Sequence, residues 1–209
     1  LKRLGQWPWP RTEIARLVDR LAEMGAATVV YDILFPEPDR ISPKSLQNFF
    51  GDQPEGSELS NALALLPDSD AMLAESTARV PSVAAFALLE NGSVKSNVTA
   101  KAGFAVGGDD PLTHHFLRSF QGAVTTLPIL EQATQGNGAV NYAPDSDNVI
   151  RRAPLLYEYN GHIVPTLATE ALRVAQGAQS YVIKSSGASG EAAFGEHTGL
   201  VGLKIGQFE

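Results

Sequence analysis

A nine-residue apolar run, ATVVYDILF at 27–35, constrains the fold of this chain more than any other segment. It is rich in β-branched and aromatic residues and nearly free of polar ones, which predicts a strand covered on both faces. The stretch before it, at 11–24, carries apolar residues at the spacing of an amphipathic helix. We expect Thr12 to cap this helix and Gly25 to end it.

A second helix–strand unit follows an irregular stretch. Residues 40–67 contain three prolines and two glycines and predict a long loop, with a short helix at 60–66. Asp68 is then placed to cap a helix over 70–79, and 80–89 is again a mostly apolar strand. Two such units in succession indicate a parallel sheet with helices packed on it.

The second half of the chain is richer in strand patterns. We expect turns at Asp145–Asn148 and Asn160–Gly161 and a flexible bend at 185–190. The strands are predicted at 122–127, 138–142, 149–159, 181–184 and 200–205, with a helix at 165–176. The sequence therefore predicts an α/β fold with a mixed, largely parallel sheet flanked by helices, in a single domain over 1–209.

Composition excludes several classes of protein. The chain has 209 residues, 44% of them hydrophobic, and a net charge of −7, so it can bury a core and lacks the basic surface of a nucleic-acid binder. It contains no cysteine, which excludes disulfides, thiol catalysis and cysteine zinc sites. No apolar stretch is long enough to cross a bilayer.

Asp32 is the first candidate for a functional residue. It interrupts an apolar strand near its carboxyl end, and in open α/β sheets ligands bind beside those strand ends. Glu37, Asp39 and Arg40 follow closely, so we expect a ligand pocket there. The alternative is that Asp32 only binds backbone amides of the next loop.

The turn around Asp145 and Asp147 is the second candidate. The two aspartates resemble the start of a calcium loop, but Val149 and Ile150 stand where that loop needs a ligand and a glycine. A turn before a strand fits better. Arg151 lies close enough to pair with one of these carboxylates, and the three residues form our second predicted ligand site.

No catalytic or metal-binding motif is present. The four histidines, His114, His115, His162 and His197, lack the spacing of a zinc site, and we predict no metal and no cofactor. The bend SSGASG at 185–190 has neither the lysine of a phosphate loop nor the pattern of a nucleophile elbow.

Several long motifs occur in one order and carry a family resemblance. They are GQWPWPR at 5–11, the YDILF strand with Asp32, EPDR and SP at 37–43, LPDSDAMLAE at 66–75, KAGFAVGG at 101–108, GNGAVNYAPDSDNVIRRAPLL at 136–156 and TLATEALRVAQGA at 166–178. Together they resemble the CHASE type 2 domain over nearly the whole chain. One departure is Asn148, where the family usually has glycine; asparagine tolerates the same left-handed turn.

The resemblance implies a function. CHASE type 2 domains are extracytoplasmic sensors of bacterial membrane receptors, and the variant that this chain most resembles regulates a cytoplasmic class III adenylate/guanylate cyclase. A histidine kinase or a Ser/Thr kinase is the alternative output. The resemblance implies attached transmembrane helices, an unidentified stimulus and no enzymatic activity in this chain. It also implies further strands before Leu1 and after Glu209, and unpaired edges of this kind favour a homodimer.

Two other functions stay open at this point. The domain could be a structural dimerisation module that binds no small molecule. It could also be a hydrolase-like α/β enzyme, which would require His162 or His197 within reach of both a serine and a carboxylate.

Overall fold

The first predicted helix forms where its spacing places it, as α1 (Arg11–Glu23). The computed structural model describes residues 5–51, 57–142, 145–188, 197 and 199–208. Within them the fold is mixed α/β, as expected. The other helices are α2 (Pro43–Gly51), α3 (Ser57–Ala64), α4 (Ser69–Ala78), α5 (Pro128–Ala133) and α6 (Leu167–Ala175). The strands are β1 (Val29–Val30), β2 (Ser82–Leu89), β3 (Gly103–Gly107), β4 (Ser119–Phe120), β5 (Gly122–Val124), β6 (Gly136–Ala139), β7 (Leu156–Tyr159), β8 (His162–Pro165), β9 (Ser180–Ser185) and β10 (Leu200–Ile205).

The chain forms two compact units. The first comprises 1–29, 35–82 and 126–134, and the second comprises 30–34, 83–125 and 135–209. The first unit is helical and contains α1 to α5, whereas the second contains α6 and nearly all of the strands.

In the first unit, α1 packs on α4, and α4 packs on α5. The buried face of α1 consists of Ile14, Ala15 and Val18, which lie on one stripe because they are three to four residues apart. Asp68 caps α4 by accepting a hydrogen bond from the Asp70 amide, as the sequence predicted.

In the second unit the strands form three small mixed sheets. β2 pairs with β6 in parallel and with β5 in antiparallel orientation, and β1 extends this sheet. β9 lies between β3, which is parallel to it, and β10, which is antiparallel. β7 lies between β4, which is parallel to it, and β8, which is antiparallel. The expected single, largely parallel sheet is thus divided into three.

Two apolar clusters form the core of the second unit. The larger one joins β2, β6, β7 and β8 through aromatic and aliphatic side chains: Phe86, Leu88, Phe120, Ala123, Ala139, Tyr157, Tyr159 and Val164. The smaller one contains Leu117, Leu156 and Ile183. The rings of Tyr157 and Phe120 pack edge to face with their centroids 5.3 Å apart, an arrangement that the charge distribution of aromatic rings favours.

Helix α6 packs directly on β6. Thr166 caps the helix through the Thr169 amide. A Cβ at Gly138 would lie 2.6 Å from the Leu167 Cα, so only glycine allows this approach of helix and strand. At the other end of the helix, Gly177 has a φ of 64°, the left-handed conformation that terminates it.

The prediction of a strand over 27–35 was too long, since only Val29–Val30 is a strand. Backbone pairing continues to Tyr31, whose amide donates to the Val83 carbonyl, and then stops. Tyr31 and Phe35 are buried although neither lies in a strand. An apolar run shows that side chains are buried, but it does not show that the backbone is paired.

The prediction of a loop over 40–67 was also wrong in part, because α2 and α3 lie there; the second overlaps the expected short helix. The Ser42 hydroxyl accepts from the Ser45 amide, and Pro43 follows it at the first helical position. Proline fits that position because its fixed φ is helical and its missing amide is not needed there.

Two further boundaries differ from the expectation. Thr12 does not cap α1, because Pro10 occupies the cap position. The strand expected over 149–159 is reduced to β7, and the residues before it include Pro154, which disfavours pairing. The expected turns do form: Asn148 and Asn160 both adopt positive φ, at 61° and 48°. Of the expected bend, 185–188 lies within the described residues and the rest outside them.

Candidate functional site

A pocket of about 590 Å³ lies within the second unit. One wall is the segment 95–102, and the opposite wall is β8 with the turn before it. Its polar lining consists of Lys95, Ser96, Asn97, Thr99, Lys101, Asn137, Tyr159, Asn160, His162 and Glu170, and its apolar lining includes Val98, Phe104, Ile163 and Val164. The volume and the mixed lining are typical of sites for small organic ligands.

The segment 95–102 has no regular structure of its own but is fixed by side chains from the sheets. The Tyr159 hydroxyl donates to the Ser96 carbonyl at 2.7 Å, and Asn137 donates to the Thr99 carbonyl at 2.7 Å. Val98 packs against the larger apolar cluster. The wall of the pocket is therefore positioned without a ligand, which lowers the entropic cost of binding one.

Glu170 is the buried acidic group of the pocket, and its charge is balanced. Arg173 forms two hydrogen bonds to it, at 2.9 and 2.6 Å, and the Tyr181 hydroxyl forms a third. Arg173 also donates to the Ala178 and Gln135 carbonyls. Every charged group in this cluster has a close partner, as buried charges require.

The pKa values of this cluster shift in consistent directions. The hydrogen bond to Glu170 raises the pKa of Arg173, although burial acts in the opposite direction. Burial raises the pKa of Tyr181 strongly, and the nearby Glu170 charge adds to the rise. Tyr181 therefore stays a neutral hydrogen-bond donor at any physiological pH, and Glu170 accepts from it.

The residues that line the pocket include more basic than acidic ones. Lys95, Lys101 and His162 belong to the lining, and its acidic residue, Glu170, is paired with Arg173. The whole chain carries a net charge of −7, so this lining is opposite in sign to the protein as a whole. The arrangement suits a ligand with a negative group and a small apolar body.

None of the seven residues predicted as ligand contacts lines this pocket. Asp32 is exposed and belongs to the second unit, whereas Glu37, Asp39 and Arg40 belong to the first. Glu37 and Arg40 pair at 3.6 Å and line a separate open groove beside Phe49 and Phe50. These residues stay predicted contacts. The pocket itself was missed because no motif marks 95–102.

Asp39 has a structural environment that its sequence position did not reveal. It is buried and accepts from the backbone amides of Arg11 and Ile41. Its own amide donates to Asp70, and the Arg11 guanidinium also donates to Asp70, at 3.2 Å. Arg11 further lies 4.2 Å above the Phe35 ring. Asp39 thus joins α1 to α4 in the first unit.

Asp145, Asp147 and Arg151 do come together, as the second prediction expected. Arg151 donates to both oxygens of Asp147, at 2.9 and 2.7 Å, and to Asp145 at 3.3 Å. Arg152 also pairs with Asp145. The hydrogen bond from Arg151 holds the pKa of Asp147 below its usual range. The four charges compensate one another across the turn.

The geometry needed for a serine hydrolase does not form at His197. This imidazole lies 2.9 Å from Asp109, but the Ser186 hydroxyl donates to the same carboxylate rather than to the imidazole. The carboxylate lies between the serine and the histidine, so the imidazole is not placed to accept the hydroxyl proton.

No helix among the described residues is long and apolar enough to cross a membrane.

The chain is a mixed α/β module with a pocket in its second unit. Comparison with protein families then identifies it, because the CHASE2 domain model matches residues 1–206. The chain therefore belongs to the CHASE2 family, whose members are non-catalytic extracytoplasmic sensor domains in signal transduction. Comparison with curated proteins and with solved structures gives no significant match.

Proposed function

We propose that this chain is the ligand-sensing input of a bacterial transmembrane receptor and that it binds a small organic anion in the pocket of its second unit. The observation that supports the proposal is the pocket lining, which combines Lys95 and Lys101 with apolar side chains and in which Glu170 is paired with Arg173. The output is a cytoplasmic class III adenylate/guanylate cyclase, with a histidine or Ser/Thr kinase as the alternative.

Signalling requires that the ligand favour one of two states. An anion bridging segment 95–102 and β8 would draw these two walls together, because each contributes cationic or polar groups. The ligand can shift the receptor only by its differential affinity for the two states. In the parent receptor this shift would pass through the attached transmembrane helices of a homodimer to the output domain.

A thermal-shift screen tests the binding step. Succinate, benzoate and phosphate are the anionic probes, and butylamine and glycerol are the controls. A ligand present at 100 times its Kd adds about 2.7 kcal/mol, which raises Tm by several degrees in a domain of this size.

Two variants test whether the anions bind in this pocket. Lys101→Gln should lower the affinity for any stabilising anion by about tenfold or more, because it removes a positive charge from the pocket lining. Lys44→Gln is the matched control, since Lys44 is exposed and belongs to the first unit. Stabilisation by the amine but not by the anions, or an equal effect of the two variants, would contradict the proposal.

A second function, a structural dimerisation module, is favoured by an apolar surface on the first unit. Ile41, Phe49, Leu59, Leu65 and Leu66 are all largely exposed in and beside α2 and α3. Apolar side chains exposed together in this way are typical of protein interfaces. If this is the function, sedimentation velocity gives a dimer that Phe49→Ser dissociates, and no probe raises Tm.

A further inference from the structure

Two histidines far apart in the sequence meet one aspartate in the second unit. Asp109 follows β3, His114 lies in the next turn, and His197 lies shortly before β10. One donor atom from each of the three residues lies within 4.8 Å of the other two. None of these residues lines the pocket described above.

The side chains are arranged around one small volume. The His114 and His197 rings are stacked, with centroids 4.0 Å apart and planes inclined by 17°. Nδ1 of His197 lies 2.9 Å from Oδ2 of Asp109, and the Ser186 hydroxyl donates to the same oxygen at 2.8 Å. Two imidazoles and a carboxylate form a donor set that zinc prefers.

Hydrogen bonds fix the backbone that carries Asp109 and His114. The Asp109 amide donates to the Ser186 carbonyl, which continues the parallel pairing of β3 and β9. Asp110 accepts from the Leu112 amide and the Thr113 hydroxyl and so closes the turn that carries His114. Ser186 holds the Asp109 carboxylate in place, as hydrogen bonds to metal-binding carboxylates generally do.

We propose that Asp109, His114 and His197 form a binding site for a divalent transition-metal ion of the zinc type, with water completing the coordination. Donors of a tetrahedral zinc site lie about 3.3 Å apart, given bond lengths of about 2.0–2.1 Å. Rotation of the two exposed or half-buried imidazoles would supply the small contraction needed. The ion takes the place of the hydrogen between Nδ1 of His197 and the Asp109 carboxylate. A neutral imidazole then carries its hydrogen on Nε2 and no proton is released, whereas an imidazolium releases one proton.

Electrostatics at the site support this assignment. The hydrogen bond from His197 and that from Ser186 lower the pKa of Asp109, so the carboxylate is ionised at neutral pH. A metal ion binds the neutral form of an imidazole, through the lone pair of one ring nitrogen. Among the described residues, the charged and titratable groups that act on the cluster include Asp109, Asp110, His114 and His197.

The test is a titration of the EDTA-stripped, dialysed protein with zinc chloride, followed by calorimetry and by Tm. We expect one saturable zinc ion per chain and a rise in Tm. Magnesium should not compete, because it prefers oxygen ligands in an octahedral arrangement. Cobalt in place of zinc should give a visible absorption spectrum that depends on the same residues.

Variants separate this site from adventitious binding. His197→Asn and Asp109→Asn should each weaken zinc binding by at least about tenfold. His115→Asn is the matched control, because His115 is exposed in the same turn with a φ of 53°, which asparagine tolerates. His197 has a φ of 61°, so asparagine suits that position as well. Circular dichroism in EDTA confirms that each variant is folded.

Two results would overturn the proposal: no saturable zinc binding up to millimolar concentration, or binding that all three variants weaken equally. Failure of the anion screen would leave this test unaffected, because the two sites share no residue.

Discussion

The Asp39 carboxylate accepts a hydrogen bond from the backbone amide of Arg11, 28 residues earlier in the chain, at 2.9 Å. Arg11 is the first residue of α1, and the residue before it, Pro10, offers no side-chain cap. The first amides of a helix need acceptors from outside it. Asp39 therefore caps α1 from a distant loop, and it is buried in doing so.

Asp39→Ala should destabilise the first unit by about 1–3 kcal/mol, because the amides of Arg11 and Ile41 lose a buried acceptor. Urea unfolding followed by circular dichroism measures this change. Glu37→Gln is the control: Glu37 is exposed, so its substitution should change the free energy of unfolding by less than about 0.5 kcal/mol. Equal effects of the two substitutions would mean that the cap does not stabilise α1.

Glu170→Gln should destabilise the second unit by about 3–5 kcal/mol, because it leaves the Arg173 guanidinium buried without a counter-charge. The side chains of this pair are 4% and 1% exposed, so water cannot replace the lost partner. Glu75→Gln breaks an exposed pair with Arg79 and should cost less than about 1 kcal/mol. Denaturant unfolding of both variants decides the point.

Gly138→Ala should destabilise the protein by about 1–3 kcal/mol or more, because the new Cβ would lie 2.6–2.8 Å from backbone atoms of Leu167 and Thr166. Backbone atoms of a capped helix start cannot move aside as a flexible side chain can. Gly103→Ala is the matched strand control, since its Cβ would meet only Ser180 at 3.7 Å. A comparison of Tm values measures the difference, and similar losses would contradict the close packing of α6 on β6.

The Asp147 carboxylate should titrate below its ordinary pKa of 3.8, because Arg151 and the Val149 amide hydrogen-bond to its charged form. Its contribution to stability is thus fully present above pH 3.8 and is lost as the pH falls through the lowered pKa. Carbon NMR of the carboxylate measures the pKa directly. Arg151→Gln should raise it, whereas Arg152→Gln, which removes a partner of Asp145, should leave it unchanged.

Tyr159→Phe should loosen the pocket wall, because the segment 95–102 loses the hydrogen bond from this hydroxyl to the Ser96 carbonyl. We expect a cost of about 0.5–1.5 kcal/mol and faster amide exchange in that segment. Tyr142→Phe is the control, since Tyr142 is 65% exposed and lies outside the pocket. Unchanged exchange in 95–102 would show that the other contacts suffice to hold it.

The sequence predicted elements well where the evidence for them is local. The helix α1, the Asp68 cap of α4 and the asparagine turns at 148 and 160 are each decided by neighbouring residues, and all were confirmed. The apolar stripe of α1 was confirmed only in part, because Leu17 is exposed. The run at 27–35 was overextended because strand pairing depends on a partner elsewhere in the chain. The helix α2 was missed although Ser42 and Pro43 give a recognisable start signal.

The candidate sites show the same difference between local and long-range contacts. The turn pairs Asp145 and Asp147 with Arg151 across six residues or fewer, so the sequence could suggest it. The pocket combines segment 95–102 with β8 and with Glu170 of α6, and the histidine cluster joins His114 to His197. No spacing rule connects residues so far apart.

The sequence by itself determined the mixed α/β class, the family and the positions of most helices and turns, because periodicity, caps and ordered motifs are written in adjacent residues. Only the tertiary structure decided that the strands form three mixed sheets, that Asp39 caps a helix and that the lysines of 95–102 line a pocket. Strand pairing and cavities depend on contacts between distant residues, and their geometry exists only after the chain has folded.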